Sequence, residues 1–263
     1  RSTTPIRLTE VGEAYIKAAE EISQIEQQME NYINNLNTLR SGHLSMGGSN
    51  LFAAYVLTPM ITRFKQTYPE VTIKLTEGNT DQLELLLSNN TLDFVIDYYH
   101  YDNALFSREF YCDEDILLAV PKHFGENVRL ARYQLSYKEI KQKRYLRPDC
   151  PAVPLKNFSD IPFIMLTPGN DTRIRGDKLC KEAGFHPNIV LELNQQATAY
   201  MAASTQLGAA FISDILVSQL PSFENLVYYK LGGDASRRQI FFYYKRHKYI
   251  TRAMQEFITM VHM

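Results

Sequence analysis

The chain has 263 residues, 45% of them hydrophobic and 22% charged. At roughly 100–200 residues per domain this is one or two domains with ample material for a core. Long disorder, collagen-like repeats and a disulfide-stapled miniprotein are excluded. With 28 Lys and Arg against 29 Asp and Glu the net charge is −1, which marks neither a strongly basic nucleic-acid binder nor an acidic tail. The cysteines, Cys112, Cys150 and Cys180, are odd in number, widely spaced and without a Cys-x-x-Cys pair. Neither a disulfide framework nor a zinc site is expected from them, and they read as thiols of a reducing compartment. No apolar run approaches the roughly 18–20 residues of a membrane span, and the polar stretch Arg1–Glu10 lacks a signal peptide's apolar region. A cytoplasmic location, with no membrane partner, is the expectation.

Between Leu8 and Arg40 there is no proline, and Gly12 is the only glycine. Thr9 can cap a helix start. Apolar residues then fall at Val11, Tyr15, Ala18, Ile22, Ile25, Met29, Tyr32, Leu36 and Leu39, with steps alternating four and three. That heptad seam, flanked by polar residues, predicts a long helix that pairs side by side with another. Thirty helical residues span roughly 45 Å, too long for a small core. Ser41-Gly42 is the expected stop.

After Gly42 strands and helices alternate. His43–Gly47 reads as a strand. Leu51, Ala54, Leu57, Ile61, Phe64 and Tyr68 line one face of a helix ending before Pro69. Val71, Ile73 and Leu75 alternate with polar residues as a half-buried strand, Leu83, Leu86 and Leu87 mark a helix, and Leu92–Asp97 a buried strand. This β-α-β-α-β run implies a parallel sheet covered by helices. Ile116–Val120 is a further strand. The stretch from Lys122 to Pro154 is irregular, rich in Tyr, Lys and Arg. Alternation resumes with strands at Phe163–Leu166, Ile189–Leu193, Ala209–Ser213 and Gln239–Tyr244. Helices are expected at Thr172–Ala183 and Thr198–Gln206, with a last one burying Ala253, Met254, Phe257, Ile258 and Val261.

In this arrangement the chain resembles the LysR-type transcriptional regulators. Arg1 to Gly12, with Leu8-Thr9-Glu10-Val11-Gly12 at its end, looks like the wing of their helix-turn-helix domain followed by the start of their linker helix. Ser41-Gly-His-Leu-Ser-Met-Gly-Gly-Ser49 looks like the entry to their effector-binding domain. Pro69-Glu-Val71, Glu77-Gly78, Leu92-Asp93, Leu118-Ala-Val-Pro121 and Leu207-Gly-Ala-Ala-Phe-Ile212 match later landmarks in order and spacing. The resemblance implies an α/β fold of the type II periplasmic-binding-protein kind, with two subdomains preceded by a long dimerising helix. The division expected is 1–42 for wing remnant and linker helix, 43–113 plus 238–263 for the first subdomain, and 114–237 for the second. No helix-turn-helix precedes Arg1 in this sequence, so DNA is expected as a partner only of a longer protein carrying that element. The stretch 122–158 is longer than the family's usual connection by about twenty residues.

A cleft site follows from physics as well as from the resemblance. Ligands of open α/β sheets bind beyond the carboxyl ends of strands, where helix N-termini offer free N–H groups to anions. At Gly47-Gly48-Ser49-Asn50 the glycines allow close backbone approach and Ser49 can donate a hydroxyl. The resemblance singles out Ser49 as the effector-contacting residue; a plain helix cap is the alternative. Asn79 in Gly78-Asn79-Thr80 is a second candidate, or a cap. Thr167, Asn170 and Thr172 lie in Thr167-Pro-Gly-Asn-Asp171-Thr172, where Gly169 and Asn170 suit positive φ and Asp171 or Thr172 can cap a helix. Gln196 and Thr198 open a helix whose start is otherwise uncapped. Tyr98, followed by Tyr99 and His100, either lines the cleft or is a surface aromatic.

Catalysis finds little support. Gly47-Gly48-Ser49-Asn50 lacks the second glycine of a nucleophile elbow, the histidines show no ligand spacing, and phosphate-loop and dinucleotide fingerprints are missing. No cofactor or metal is expected. Basic residues cluster at Lys138, Lys141, Lys143, Arg144 and Arg147, and at Arg237, Arg238, Lys245, Arg246 and Lys248; they read as solvated faces, with subunit contacts or attraction to a DNA backbone in a longer protein as the alternative. The reading is therefore a sensor of a small carboxylate or amino-acid-like effector. It is expected to dimerise through Val11, Tyr15, Ala18, Ile22, Ile25, Met29, Tyr32 and Leu36, and the resemblance to LysR-type regulators implies a tetramer. The alternatives are a solute-binding protein and an enzyme on the same scaffold.

Overall fold

A computed structural model describes residues 9–35 and 42–262 of the chain. Helix α1 (Glu10–Asn35) starts at Thr9, whose Oγ1 accepts from the Gly12 N–H at 3.1 Å. The seam side chains that are described, Val11, Tyr15, Ala18, Ile22, Ile25 and Met29, are all exposed, Val11 by 79% and Ile25 by 64%. The side chain of Tyr32, and Leu36 and Leu39 entirely, lie outside the described residues. The approach to the expected helix stop at Ser41-Gly42, residues 36–41, lies outside the described residues. Gly42 itself opens strand β1 (Gly42–Gly48), where it pairs with Val71.

Ser49 turns the chain from β1 into helix α2 (Asn50–Phe52), which runs through a wide π turn at Ala53–Leu57 into α3 (Thr58–Thr67). The wide turn shifts the helix face. Ala54, expected inside, is exposed, while Phe52, Ala53 and Val56 are buried. Strand β2 (Val71–Glu77) lies parallel to β1, then come α4 (Thr80–Ser88) and β3 (Phe94–Asp97), parallel to β1 on its other side. Strand β4 (Phe106–Pro121) is far longer than the Ile116–Val120 expected, because its first half is charged and its second half apolar.

The stretch after β4 is ordered rather than irregular. It forms α5 (Glu126–Arg129), β5 (Gln134–Leu135) and α6 (Tyr137–Lys141), and buries Leu130, Ile140, Tyr145, Val153 and Phe158. Next are β6 (Pro162–Leu166), α7 (Asp171–Glu182), β7 (Asn188–Leu193), α8 (Gln196–Ser204), β8 (Ala209–Ser213) and α9 (Asp214–Gln219). The chain finishes with β9 (Leu226–Lys230), β10 (Arg237–Lys245) and α10 (Arg252–Val261). In α10, Ala253, Met254 and Phe257 are buried and Ile258 and Val261 partly so, as their spacing requires.

The strands form two sheets that share β4. The first runs β2-β1-β3-β10-β4; in the second, β4 lies between β8 and β9, with β6 and β7 beyond β8 and β5 beyond β9. β4 and β10 pair antiparallel from Phe106 opposite Lys245 to Asp115 opposite Arg237. The next residue, Ile116, already pairs with Ser213 of β8. The chain therefore passes between sheets along two adjacent strands, and the Asp115–Ile116 step of β4 with the start of β10 forms a hinge. Helix starts after β1, β6 and β7 all open onto the groove beside it.

Candidate functional site

A cavity of about 60 Å³ lies in that groove. Its walls include Ser49, Asn50, Leu51, Phe52 and Tyr98 from the first sheet's side, and Asn170, Thr172, Asn194, Gln195 and Gln196 from the second's, with Arg238 from the hinge. Six of the nine residues expected from the sequence are thus brought together from four separate stretches: Ser49, Asn50, Tyr98, Asn170, Thr172 and Gln196.

Each is held differently. Ser49 occupies the N-cap position before α2, but its side chain makes no capping bond. Its carbonyl accepts from Ala53 N–H at 2.8 Å, so the backbone is fixed while the hydroxyl stays available. Asn50 donates through Nδ2 to Glu77 at 3.1 Å. Asn170 caps α7, its Oδ1 accepting from Thr172 N–H at 2.9 Å. Gln196 is clamped at both ends of its amide: Nε2 donates to Thr172 Oγ1 at 2.6 Å, and Oε1 accepts from Ser213 N–H at 2.9 Å. That pair of bonds fixes which way the buried amide faces. The N-cap residue of α8, Gln195, makes no side-chain cap, so that start offers uncommitted N–H groups to the groove.

Tyr98 follows β3, where Asp97 accepts from the N–H groups of Tyr98 and Tyr99, from Thr80 Oγ1 and from the Tyr101 hydroxyl. Burial still raises the Asp97 carboxyl above the usual range, those donors opposing it. Burial pushes the Tyr98 phenol up to about 12, with the Arg238 charge pulling the other way. Tyr99 and His100 are exposed, Tyr99 beside Tyr101 and His100 beside Arg108.

Three expected residues lie elsewhere. Asn79 and Gln82 form a capping box at α4, and Asn79 is outside the cavity. Thr167 stands one step back, donating to Asn194 Oδ1 at 3.1 Å. Thr198 is exposed on α8. Two local readings also change. A Cβ on Gly47 would meet Leu92 and Leu83 at 2.6 and 2.7 Å, and one on Gly48 would meet Ile96 and Phe52 at 3.0 and 3.1 Å. These glycines therefore serve close packing of the sheet, not ligand approach. In the α7 turn Gly169 has φ +89°, but Asn170 is extended at −73° and is itself the cap, in place of Asp171 or Thr172.

The residue missed from the sequence is Arg238. Its side chain is 3% exposed, not solvated, and its guanidinium sits 3.9 Å above the Tyr98 ring. Nε donates to Glu114 and Nη1 to Asp171. Burial works against its charge, but Glu114, Tyr98 and Asp171 outweigh it and raise the guanidinium's pKa further. The signal was the period of two along β10: Arg238, Ile240 and Phe242 are buried while Arg237 and Gln239 are exposed. Lys248 likewise leaves the supposed basic face, its Nζ bonded to Asp93 at 2.6 Å. Among the described residues, no group of three or more His, Cys, Asp or Glu is placed to hold a metal, and no helix is long and apolar enough to cross a membrane.

Comparison with known proteins matches residues 37–263 to the family described as LysR substrate binding domain. An uncharacterized HTH-type transcriptional regulator of Bacillus subtilis, YcgK, is 24% identical over 98% of this chain and 78% of its own length. The HTH-type transcriptional activator CmpR of Synechocystis is 24% identical over 79% of this chain, which spans 61% of that relative. Among solved structures, the Synechocystis CcmR regulatory domain in complex with 2-PG has a TM-score of 0.66 at 16% identity, covering 83% of this chain and 95% of that one. The BenM effector binding domain with its effector benzoate has a TM-score of 0.65 at 14% identity, covering 86% and 92%. These likenesses establish the two-sheet fold.

Proposed function

Because the chain belongs to the LysR substrate binding domain family, we propose that it is the effector-sensing and self-associating part of a LysR-type regulator. The observation that carries this is the cleft. Ser49, Asn50, Tyr98, Asn170, Thr172 and Gln196 come from both sheets and meet at the hinge. A ligand touching both walls favours one angle between the sheets, and only such a differential contact shifts an equilibrium. An anionic effector suits the groove, since two helix starts without side-chain caps face it. Benzoate, held by a protein of the same fold, is a carboxylate. The subdomain division that fits the pairing is after Asp115 and before Arg237, about two residues from the division expected. The relatives are named as transcriptional regulators; a non-enzymatic sensor is the matching role here, acting on DNA through a head in the whole protein.

Thermal-shift screening of metabolites tests the site. A carboxylate that stabilises the chain, and does so at least tenfold more weakly in Ser49→Ala, supports it; an equal affinity in the variant removes Ser49. Self-association is proposed along the exposed stripe of α1. Ile22→Glu with Ile25→Glu should lower the mass measured by light scattering, and an unchanged mass would rule the stripe out.

A further inference from the structure

The cavity is too small for its proposed task. On this measure a water needs about 10–15 Å³, and an organic-ligand site usually has about 300 Å³ or more, so 60 Å³ holds a few waters or a very small ion. The cavity wall already carries a paired charge. The only guanidinium lining this cavity, Arg238, is engaged by Glu114 and Asp171 and stacked on Tyr98. The three contacts come from different parts of the fold. Glu114 is the cross-strand neighbour on β4, Tyr98 follows β3 of the first sheet, and Asp171 opens α7 over the second. The guanidinium therefore ties the two walls of the cleft together.

Its two carboxylates are not equivalent. Glu114 is fully buried and, among the described residues, has no other ion-pair partner and no hydrogen bond to its Oε1. Asp171 is one-quarter exposed, and the same Oδ2 that meets Arg238 also accepts from Arg175 Nε at 2.6 Å. Asp171 sits in the first turn of a twelve-residue helix, where a negative charge is favoured. It can leave Arg238 and still keep Arg175 and the helix end. Glu114 cannot leave without stranding a buried charge. The two guanidiniums and two carboxylates balance, so an added anion disturbs the cluster unless an acid moves aside.

We propose that Asp171 stands in for the effector on Arg238, and that an anionic effector enters by displacing it onto Arg175, releasing α7 from the hinge. This rests on the cleft being an effector site, and Arg238 becomes the residue that reads the effector's charge.

The test uses formate, a carboxylate small enough for the existing cavity, on the chain carrying ¹⁵Nε-arginine. The Arg238 Nε–H resonance is identified by its loss in Arg238→Lys. In Asp171→Asn, which keeps the side chain's size, formate should shift that resonance at a concentration at least tenfold lower than in wild type. Arg175→Gln, at a quarter-exposed side chain, removes the alternative partner and should raise the midpoint at least threefold; it also keeps the test alive if Asp171→Asn does not fold. Equal midpoints in the three proteins, or a resonance that formate moves in none of them, overturn the exchange. A metabolite whose stabilisation is lost in Ser49→Ala keeps the effector reading whatever formate does. A screen without such a hit, beside a tenfold formate difference, retires that reading and leaves the exchange standing.

Discussion

Glu114 and Asp214 are buried acids on either side of the same crossing, Glu114 on β4 and Asp214 at the start of α9. They meet burial in different ways. Glu114 faces a guanidinium, that of Arg238. Asp214 has neutral donors: the Tyr145 hydroxyl and the N–H groups of Asp115 and Ile215. Burial, helped by the charges of Glu114 and Asp115, pushes the Asp214 carboxyl up to about 7 against those hydrogen bonds. A buried acid beside a fixed cation adds a link between parts of the fold, whereas one beside dipoles keeps its proton until near neutrality. The first arrangement ties the cleft walls; the second predicts a folding stability that depends on pH.

Removing the cation should have the largest effect. Arg238→Met leaves Glu114 buried without a counter-charge and should destabilise the chain by about 3–5 kcal/mol in urea unfolding. A loss below about 1 kcal/mol would mean that Arg238 and Glu114 are not a buried pair. Asp214 gives the next effect. Its folded pKa of about 7 lies above its unfolded value of about 3.9. Between pH 4 and 7 the folded chain therefore holds a proton that the unfolded chain has released. Stability should fall as pH rises through that window, by up to about 4 kcal/mol. Asp214→Asn should flatten that fall; an unchanged pH profile would place the titration elsewhere.

Tyr145→Phe, which takes one donor from Asp214, should cost about 1–2 kcal/mol at pH 8 and less at pH 5. An equal cost at both would separate the hydroxyl from the carboxylate's charge. The smallest effects compare two helix starts. Asn79→Ala loses a capping box and should cost about 1 kcal/mol. Ser49→Ala loses no capping bond and should cost under about 0.5 kcal/mol. A reversed order would make Ser49 a structural cap.

The polar helix starts of the cleft were legible because strand-to-helix junctions collect small polar residues whatever their use. That generality is also why Asn79 and Thr198 were misplaced. Composition at a junction does not say whether a side chain turns back to its own helix, as Asn79 does, or faces outward. Arg238 and Glu114 were hidden by their type. In a sequence a charged residue near other charges reads as solvated, and only the phase of the strand reveals that it points inward.

Local periodicity and turn chemistry, being short-range, determined the elements that alternate β and α, the inner face of the last helix and the heptad stripe of the first. They also carried the resemblance that the family match bears out. Only the tertiary structure decided that β4 continues through a charged segment, because its pairing with β10 satisfies the backbone there. It likewise decided that the stretch after β4 packs a tyrosine onto Asp214, and that Arg238 meets acids 124 and 67 residues away in the chain. Those contacts join residues remote in sequence, and no pattern within a window of ten or twenty residues records them.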